Sequence, residues 1–206
     1  SLLWASQKEK SSRIIYLLPT RVTSNAIYKR LTEYFGAENT ALIHSSALLF
    51  QKELMQDKYD SKEYLMDKVF MKNVSICTVD QILTMGFNLG YWEMKTFNTI
   101  NAKVIIDEIH LYAPYTLGLI IATIKYLKEN FNTSFYIMTA TMPRKLKEIL
   151  MKTLGSETQL IEDKELLENA RNIFEVRDAS IDDLDEEIVG NIQNSKKVLI
   201  VVNTVD

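Results

Sequence analysis

The stretch Ala102-Lys103-Val104-Ile105-Ile106-Asp107-Glu108-Ile109-His110 decides the reading of this chain. Its apolar first part reads as a buried strand, of the kind that fills the middle of a parallel sheet. Its second part brings two adjacent carboxylates and a histidine to the carboxyl end of that strand, where open α/β sheets bind ligands. Charge placed there is costly unless a cation or a partner compensates it.

An Asp-Glu pair after a strand can also be only a loop and a helix N-cap. A second polar cluster, Thr139-Ala140-Thr141, follows another apolar run, Ser134-Phe135-Tyr136-Ile137-Met138. Two buried strands ending in carboxylates and hydroxyls make a site, where one would make a turn. An Mg²⁺-nucleotide would supply the missing compensation. One carboxylate can hold the metal through water while its neighbour orients and deprotonates the attacking water.

Outward from this pair, short β-branched runs alternate with amphipathic segments, the pattern of repeated βα units around a parallel sheet. Arg13-Ile14-Ile15-Tyr16-Leu17-Leu18 predicts a strand stopped by Pro19. Ile27, Leu31 and Phe35 predict a helix closed by Gly36. Ala41-Leu42-Ile43-His44 and Val74-Ser75-Ile76-Cys77-Thr78-Val79 predict two more strands. Between them, Gln51 to Lys72 reads as helix, with Leu54, Tyr64, Leu65 and Val69 turned to the core. Leu117, Ile120, Ile121, Ile124 and Leu127 form one apolar helical face, and Leu146, Ile149 and Leu150 another, ending near Gly155. Thr158-Gln159-Leu160-Ile161 reads as an edge strand. From Glu162 to Glu187 acidic residues dominate, as in a solvated face or connector. Lys197-Val198-Leu199-Ile200-Val201-Val202-Asn203 reads as one more core strand, the first of a second domain.

The chain has 206 residues, of which 47% are hydrophobic and 25% charged, with a formal net charge of −3. That is an ordinary balance for a folded α/β domain. Six glycines and three prolines leave little room for long disordered linkers. The single cysteine, Cys77, excludes an internal disulfide and fits a reducing compartment. No stretch is long enough for a membrane span and no signal pattern opens the chain, so the cytoplasm is the expected location. The mildly acidic balance argues against gripping nucleic acid by bulk charge. A narrow groove using backbone amides and hydroxyls is compatible with it.

Five segments in order resemble the motor of helicase superfamily 2. Leu18-Pro19-Thr20-Arg21 is similar to motif Ia, Thr78-Val79-Asp80-Gln81 to motif Ib, and Asp107-Glu108-Ile109-His110 to motif II. Thr139-Ala140-Thr141 is similar to motif III and Val202-Asn203-Thr204 to the opening of motif IV. Within the superfamily, Tyr16 to Arg21 followed by Thr23 to Ala26, Thr78 to Gln81, Asp107 to Tyr112 and Val201 to Val205 resemble the helicase-nuclease of type I CRISPR systems. The resemblance implies a RecA-like fold of the P-loop NTPase type, an α/β parallel sheet flanked by helices and incomplete at the N-terminus. It implies ATP and Mg²⁺ as cofactors, with single-stranded DNA and a Cascade-type CRISPR complex as partners.

The same resemblance implies roles. Asp107 holds Mg²⁺ and Glu108 is the base that activates water. His110 couples the nucleotide site to motif III, and Thr139 and Thr141 relay nucleotide state. Pro19, Thr20, Arg21, Thr78, Asp80, Asn203 and Thr204 face the nucleic acid. His44 has no role by resemblance. Each assignment has a plain structural counterpart in turn, capping or helix-start chemistry.

No Gly-x-x-x-x-Gly-Lys-Ser/Thr run occurs in the sequence. The expected organisation is therefore a first RecA-like domain over 1–163 without its phosphate loop, an acidic connector over 164–195, and the first strand of a second RecA-like domain over 196–206. Such a fragment is expected to be inactive alone. The alternatives are a DEAH-type RNA helicase, a DNA-repair helicase, and a non-hydrolysing module that binds nucleic acid or protein. A metal-dependent hydrolase using Asp107, Glu108 and His110 is disfavoured, because adjacent residues of an extended strand point to opposite faces.

Overall fold

The computed structural model describes residues 1–6, 13–55, 61–162, 175–195 and 197–201. They divide into two units, Ser1–Gln159 and Leu160–Asp206.

The first unit is built on five strands: β1 Ile14–Leu18, β2 Thr40–Ile43, β3 Val74–Thr78, β4 Lys103–Ile106 and β5 Ser134–Ile137. All pair in parallel, in the order β2-β3-β1-β4-β5. The eight helices of this unit that bear on the site and core are α1 Leu2–Ser6, α2 Arg21–Phe35, α3 Ala47–Met55, α4 Ser61–Lys68, α5 Asp80–Leu83, α6 Trp92–Asn98, α7 Pro114–Phe131 and α8 Arg144–Leu154.

Side chains alternate across a strand, so β1 feeds two cores. Ile15 and Leu17 join Val104, Ile106, Ile120, Ile124 and Leu127 on one face. Tyr16 and Leu18 join Tyr28, Leu31, Leu42, Ile76 and Ile105 on the other. Burial on both faces is why these strands are written as unbroken apolar runs rather than alternating ones. The register sets Leu17 beside Ile106 and Ile106 beside Ile137, so the strands end together. The ladder then runs one residue further: the Asp107 N–H donates to Leu17 O at 3.0 Å and the Met138 N–H to Ile106 O at 2.9 Å. Everything that follows these strands emerges along one edge of the sheet.

Gly36 ends α2 at φ +81° and ψ 153°, a backbone conformation that L side chains rarely adopt, so glycine turns the chain there.

The helices differ from expectation in how they face the core. On α2, Ser24, Tyr28 and Leu31 are buried, Ile27 is only partly covered and Phe35 is exposed. The expected helix from Gln51 to Lys72 is two helices, α3 and α4, and residues 56–60 lie outside those described. Val69 is buried as expected, whereas Leu54 and Leu65 are exposed. A polar group takes their place inside. Asp67 accepts from Gln51 Nε2 at 3.0 Å and pairs with Lys72 Nζ at 3.1 Å, and Lys72 also donates to the carbonyls of Ala37 and Thr40. A buried charge pair of this kind can hold a helix that apolar spacing would have rotated differently. On α8, Leu146 and Leu150 are buried and Ile149 is exposed.

Two expected strands are not seen. Residues 158–161 carry no regular structure, and neither do residues 197–201 of the second unit, where Leu199 and Val201 are exposed. A strand exists by pairing, and no ladder reaches these residues. Inside the stretch read as a connector, Asp185–Gln193 is an α-helix with three acidic residues in its first turn, where the helix dipole favours them. Among the described residues, no helix is long and apolar enough to cross a membrane.

Candidate functional site

Asp107 is fixed from three directions. Its own N–H is in the sheet ladder, its Oδ2 accepts from the Tyr16 hydroxyl at 3.0 Å, and its Oδ1 accepts from the Glu108 N–H at 3.0 Å. Burial and the neighbouring Asp107 charge push the Tyr16 phenol well above its ordinary pKa, so it stays a neutral donor.

Glu108 leaves the strand direction. It sits in the left-handed region at φ 49°, ψ 47°, which costs a non-glycine residue about 1–2 kcal/mol. Two neighbours hold the turn: Ile109 is fully buried and its N–H approaches Met138 O at 3.4 Å, while the Leu111 N–H donates to Glu108 O at 2.9 Å. The expectation that Asp107 and Glu108 diverge as neighbours on an extended strand is therefore corrected, because the backbone is not extended at Glu108. Glu108 Oε2 is buried without a hydrogen bond and lies 3.3 Å from His110 Nδ1.

His110 Nδ1 lies 2.6 Å from Thr139 Oγ1, and Thr139 Oγ1 lies 2.7 Å from the Thr141 carbonyl. A carbonyl only accepts, so the single Thr139 hydroxyl proton goes to Thr141 O. The His110 Nδ1 must then carry the proton and donate to Thr139. The chain of contacts Glu108, His110, Thr139, Thr141 thus ties the end of β4 to the end of β5. Thr141 takes part through its main chain.

No cluster of three or more His, Cys, Asp and Glu side chains that could hold a metal exists among the described residues. The donor set here is one fixed carboxylate with lone pairs to spare and a second carboxylate, Glu108, whose Oε2 faces His110 without a hydrogen bond. That suits Mg²⁺, which takes one or two carboxylates and completes its shell from phosphate and water.

The residues expected to face nucleic acid lie at the ends of β1 and β3. Thr20 caps α2, its Oγ1 accepting from the Thr23 N–H at 3.1 Å. Arg21 opens that helix and reaches Ser45 Oγ at 3.5 Å. Thr78 is buried, while Asp80 is exposed and accepts from Gln81 Nε2 at 2.6 Å. Pro19 lies between strand and cap. Asn203 and Thr204 lie outside the described residues.

Three residues here carried no expected role. Tyr16 holds Asp107. His44, buried past the end of β2, places Nε2 2.8 Å from Asn25 Oδ1 and accepts the Ser46 N–H on Nδ1 at 3.3 Å. Lys95 on α6 donates to Gln81 O at 3.1 Å and Thr84 Oγ1 at 2.9 Å, holding the segment after β3. A polar residue inside an apolar strand was the only mark Tyr16 left in the sequence.

Residues 1–149 match the DEAD/DEAH box helicase family. The chain belongs to that family. This helicase chain is 28% identical, over its whole length, to a protein of Methanocaldococcus jannaschii named as a CRISPR-associated nuclease/helicase Cas3, of which it covers 30%. It is 26% identical to the CRISPR-associated endonuclease/helicase Cas3 of Escherichia coli, over 72% of the chain and 19% of that protein. Its fold superposes on the crystal structure of T. fusca Cas3 with a TM-score of 0.59, over 69% of the chain and 16% of that structure, at 23% identity. The helicase chain thus spans less than a third of these relatives.

Proposed function

We propose that this chain is the carboxylate-bearing part of an ATP-dependent motor that moves along single-stranded DNA in CRISPR interference, within a longer polypeptide. The observation that carries the reading is the continuous contact from Glu108 through His110 and Thr139 to the Thr141 carbonyl. It joins a water-activating carboxylate to the loop of the neighbouring strand. Family membership supports ATP as the fuel, and the names of the relatives support the CRISPR setting and a Cascade-type partner.

In this reading Asp107 holds Mg²⁺, which neutralises charge on the transferred phosphate. Glu108 orients and deprotonates water. His110 and Thr139 report the state of the nucleotide to the neighbouring ends of β1 and β3, where Pro19, Thr20, Arg21, Thr78 and Asp80 meet nucleic acid; Asn203 and Thr204 take the same role by resemblance alone. Residues 1–163 form the first RecA-like domain, 164–195 connect, and 196–206 open the second.

The 206 residues contain no phosphate-binding loop, so the chain alone should bind Mg-ATP weakly. Each charge-assisted contact such a loop gives is worth about 1.5–3 kcal/mol. The test is calorimetric titration with Mg-ATP and assay of DNA-stimulated hydrolysis, on this chain and on a form extended to the length of its relatives. Tight binding and hydrolysis should belong to the longer form alone. Tight binding by the short form without hydrolysis would instead favour a binding module.

A further inference from the structure

We propose that Tyr16 is a positioning residue for Asp107: its hydroxyl sets the plane of the carboxylate that faces Mg²⁺. This rests on the reading of Asp107 given above and extends it to a residue in a different strand.

The torsion that turns an aspartate carboxylate about its own axis is broad and roughly two-fold, so the covalent structure does not fix which oxygen faces outward. Two donors fix it here. Tyr16 Oη donates to Oδ2 and the Glu108 N–H to Oδ1, each at 3.0 Å. Every carboxylate oxygen has further lone pairs, so one remains on each side for a metal-bound water. Tyr16 itself cannot move. It lies mid-strand in β1, paired with Ile76 and Ile105, and is 6% exposed. Its neighbours in that core include Leu18, Tyr28, Leu42 and Ile105. A phenylalanine would fill the same space, so packing does not call for the hydroxyl. Besides an approach to Ser1, what the hydroxyl adds is the contact to Asp107, 91 residues away in sequence.

Hydrogen-bond partners behind a metal-facing group typically contribute about 10–100-fold to metal affinity or activity. The test uses a form extended to the length of the relatives and a non-hydrolysable ATP analogue, titrated once in Mg²⁺ and once in EDTA. The ratio of the two affinities isolates the contribution of the metal. Tyr16→Phe should leave the EDTA affinity at the parental value and reduce the Mg²⁺-dependent tightening by roughly tenfold. Asp107→Asn should remove most of that tightening. A Tyr16→Phe protein with parental tightening beside a defective Asp107→Asn overturns the role of Tyr16 and keeps that of Asp107. Equal weakening of both arms by Tyr16→Phe overturns it too, since a packing defect has no reason to follow the metal. Parental tightening in Asp107→Asn sinks the reading of Asp107 itself, and the proposal with it. Thermal melting confirms that each variant is folded.

Discussion

His110 donates its Nδ1 proton to Thr139, because the Thr139 hydroxyl, 2.7 Å from the Thr141 carbonyl, has already committed its own. The direction of this bond follows from valence alone. It gives the loops after β4 and β5 a shared side-chain contact.

Cutting that contact should uncouple rather than silence the motor. In the longer protein, Thr139→Ala should leave basal ATP hydrolysis near the parental rate and lower its stimulation by single-stranded DNA. Coupling between sites is commonly worth about 1–3 kcal/mol, or 5–150-fold. Thr139→Ser keeps the hydroxyl and should restore most of the stimulation. Thr141→Ala keeps the carbonyl and should be close to silent. Steady-state ATPase assays against DNA concentration separate the three, and equal loss of basal and stimulated rates in Thr139→Ala would argue for a purely structural bond.

Glu108→Gln should abolish hydrolysis and spare nucleotide binding. The amide keeps the shape of the side chain but cannot take a proton from water, and loss of a general base costs about 10²–10⁴-fold in rate. The left-handed backbone at Glu108 is unaffected, so the variant should melt with the parent. A parental turnover number would show that the catalytic carboxylate is elsewhere.

The five paired strands were legible because burial on both faces writes each as an apolar run, and the polar clusters of Asp107 and Thr139 follow directly on two of them; the apolar runs at 158–161 and 197–201 misled because no ladder reaches them. What stayed hidden depends on distance through space. Nothing near Tyr16 in the sequence announces Asp107. The buried Gln51, Asp67 and Lys72 defeat a reading that counts apolar spacing alone, as does the face of α2 that turns Ser24 inward. The turn at Glu108 had no glycine to mark it. Helix α6, with Lys95 buried on it, carried no apolar period strong enough to read.

His44 gives a pH dependence with a definite sign. Burial, and then the positive charge of Arg21, hold its pKa below the ordinary 6.5, with Asp80 opposing. The geometry agrees: Nδ1 accepts from the Ser46 N–H, so a second ring proton would displace that bond. Above pH 6.5 the ring is neutral folded or unfolded and contributes nothing. As pH falls through 6.5, the unfolded chain takes up a proton that the folded one refuses, and stability is lost until the folded value is passed. His44→Gln should therefore flatten part of the acid side of the stability profile. Urea midpoints of parent and variant from pH 7.5 to about 5 test this, and parallel curves would refute it.

Lys95 offers the last test, of how the segment after β3 is held. Its ammonium is buried, donates to Gln81 O and Thr84 Oγ1, and lies 5.6 Å from the centre of the Phe70 ring. Burial pushes its pKa below the ordinary lysine value, yet two hydrogen bonds and an aromatic face offset much of that cost. Lys95→Met fills similar space but removes the charged donor from the Gln81 carbonyl and from Thr84 Oγ1, leaving that carbonyl the Thr84 hydroxyl at 2.8 Å, and a hydrogen bond to a charged donor is worth about 1.5–3 kcal/mol. At about 2–4 °C per kcal/mol for a domain of this size, the melting temperature should fall measurably. Because Asp80 and Gln81 lie on the strand end thought to face nucleic acid, the same change should raise the DNA concentration needed for half-maximal stimulation while the unstimulated ATPase rate holds. A variant that melts early but binds DNA as the parent does would confine Lys95 to the fold.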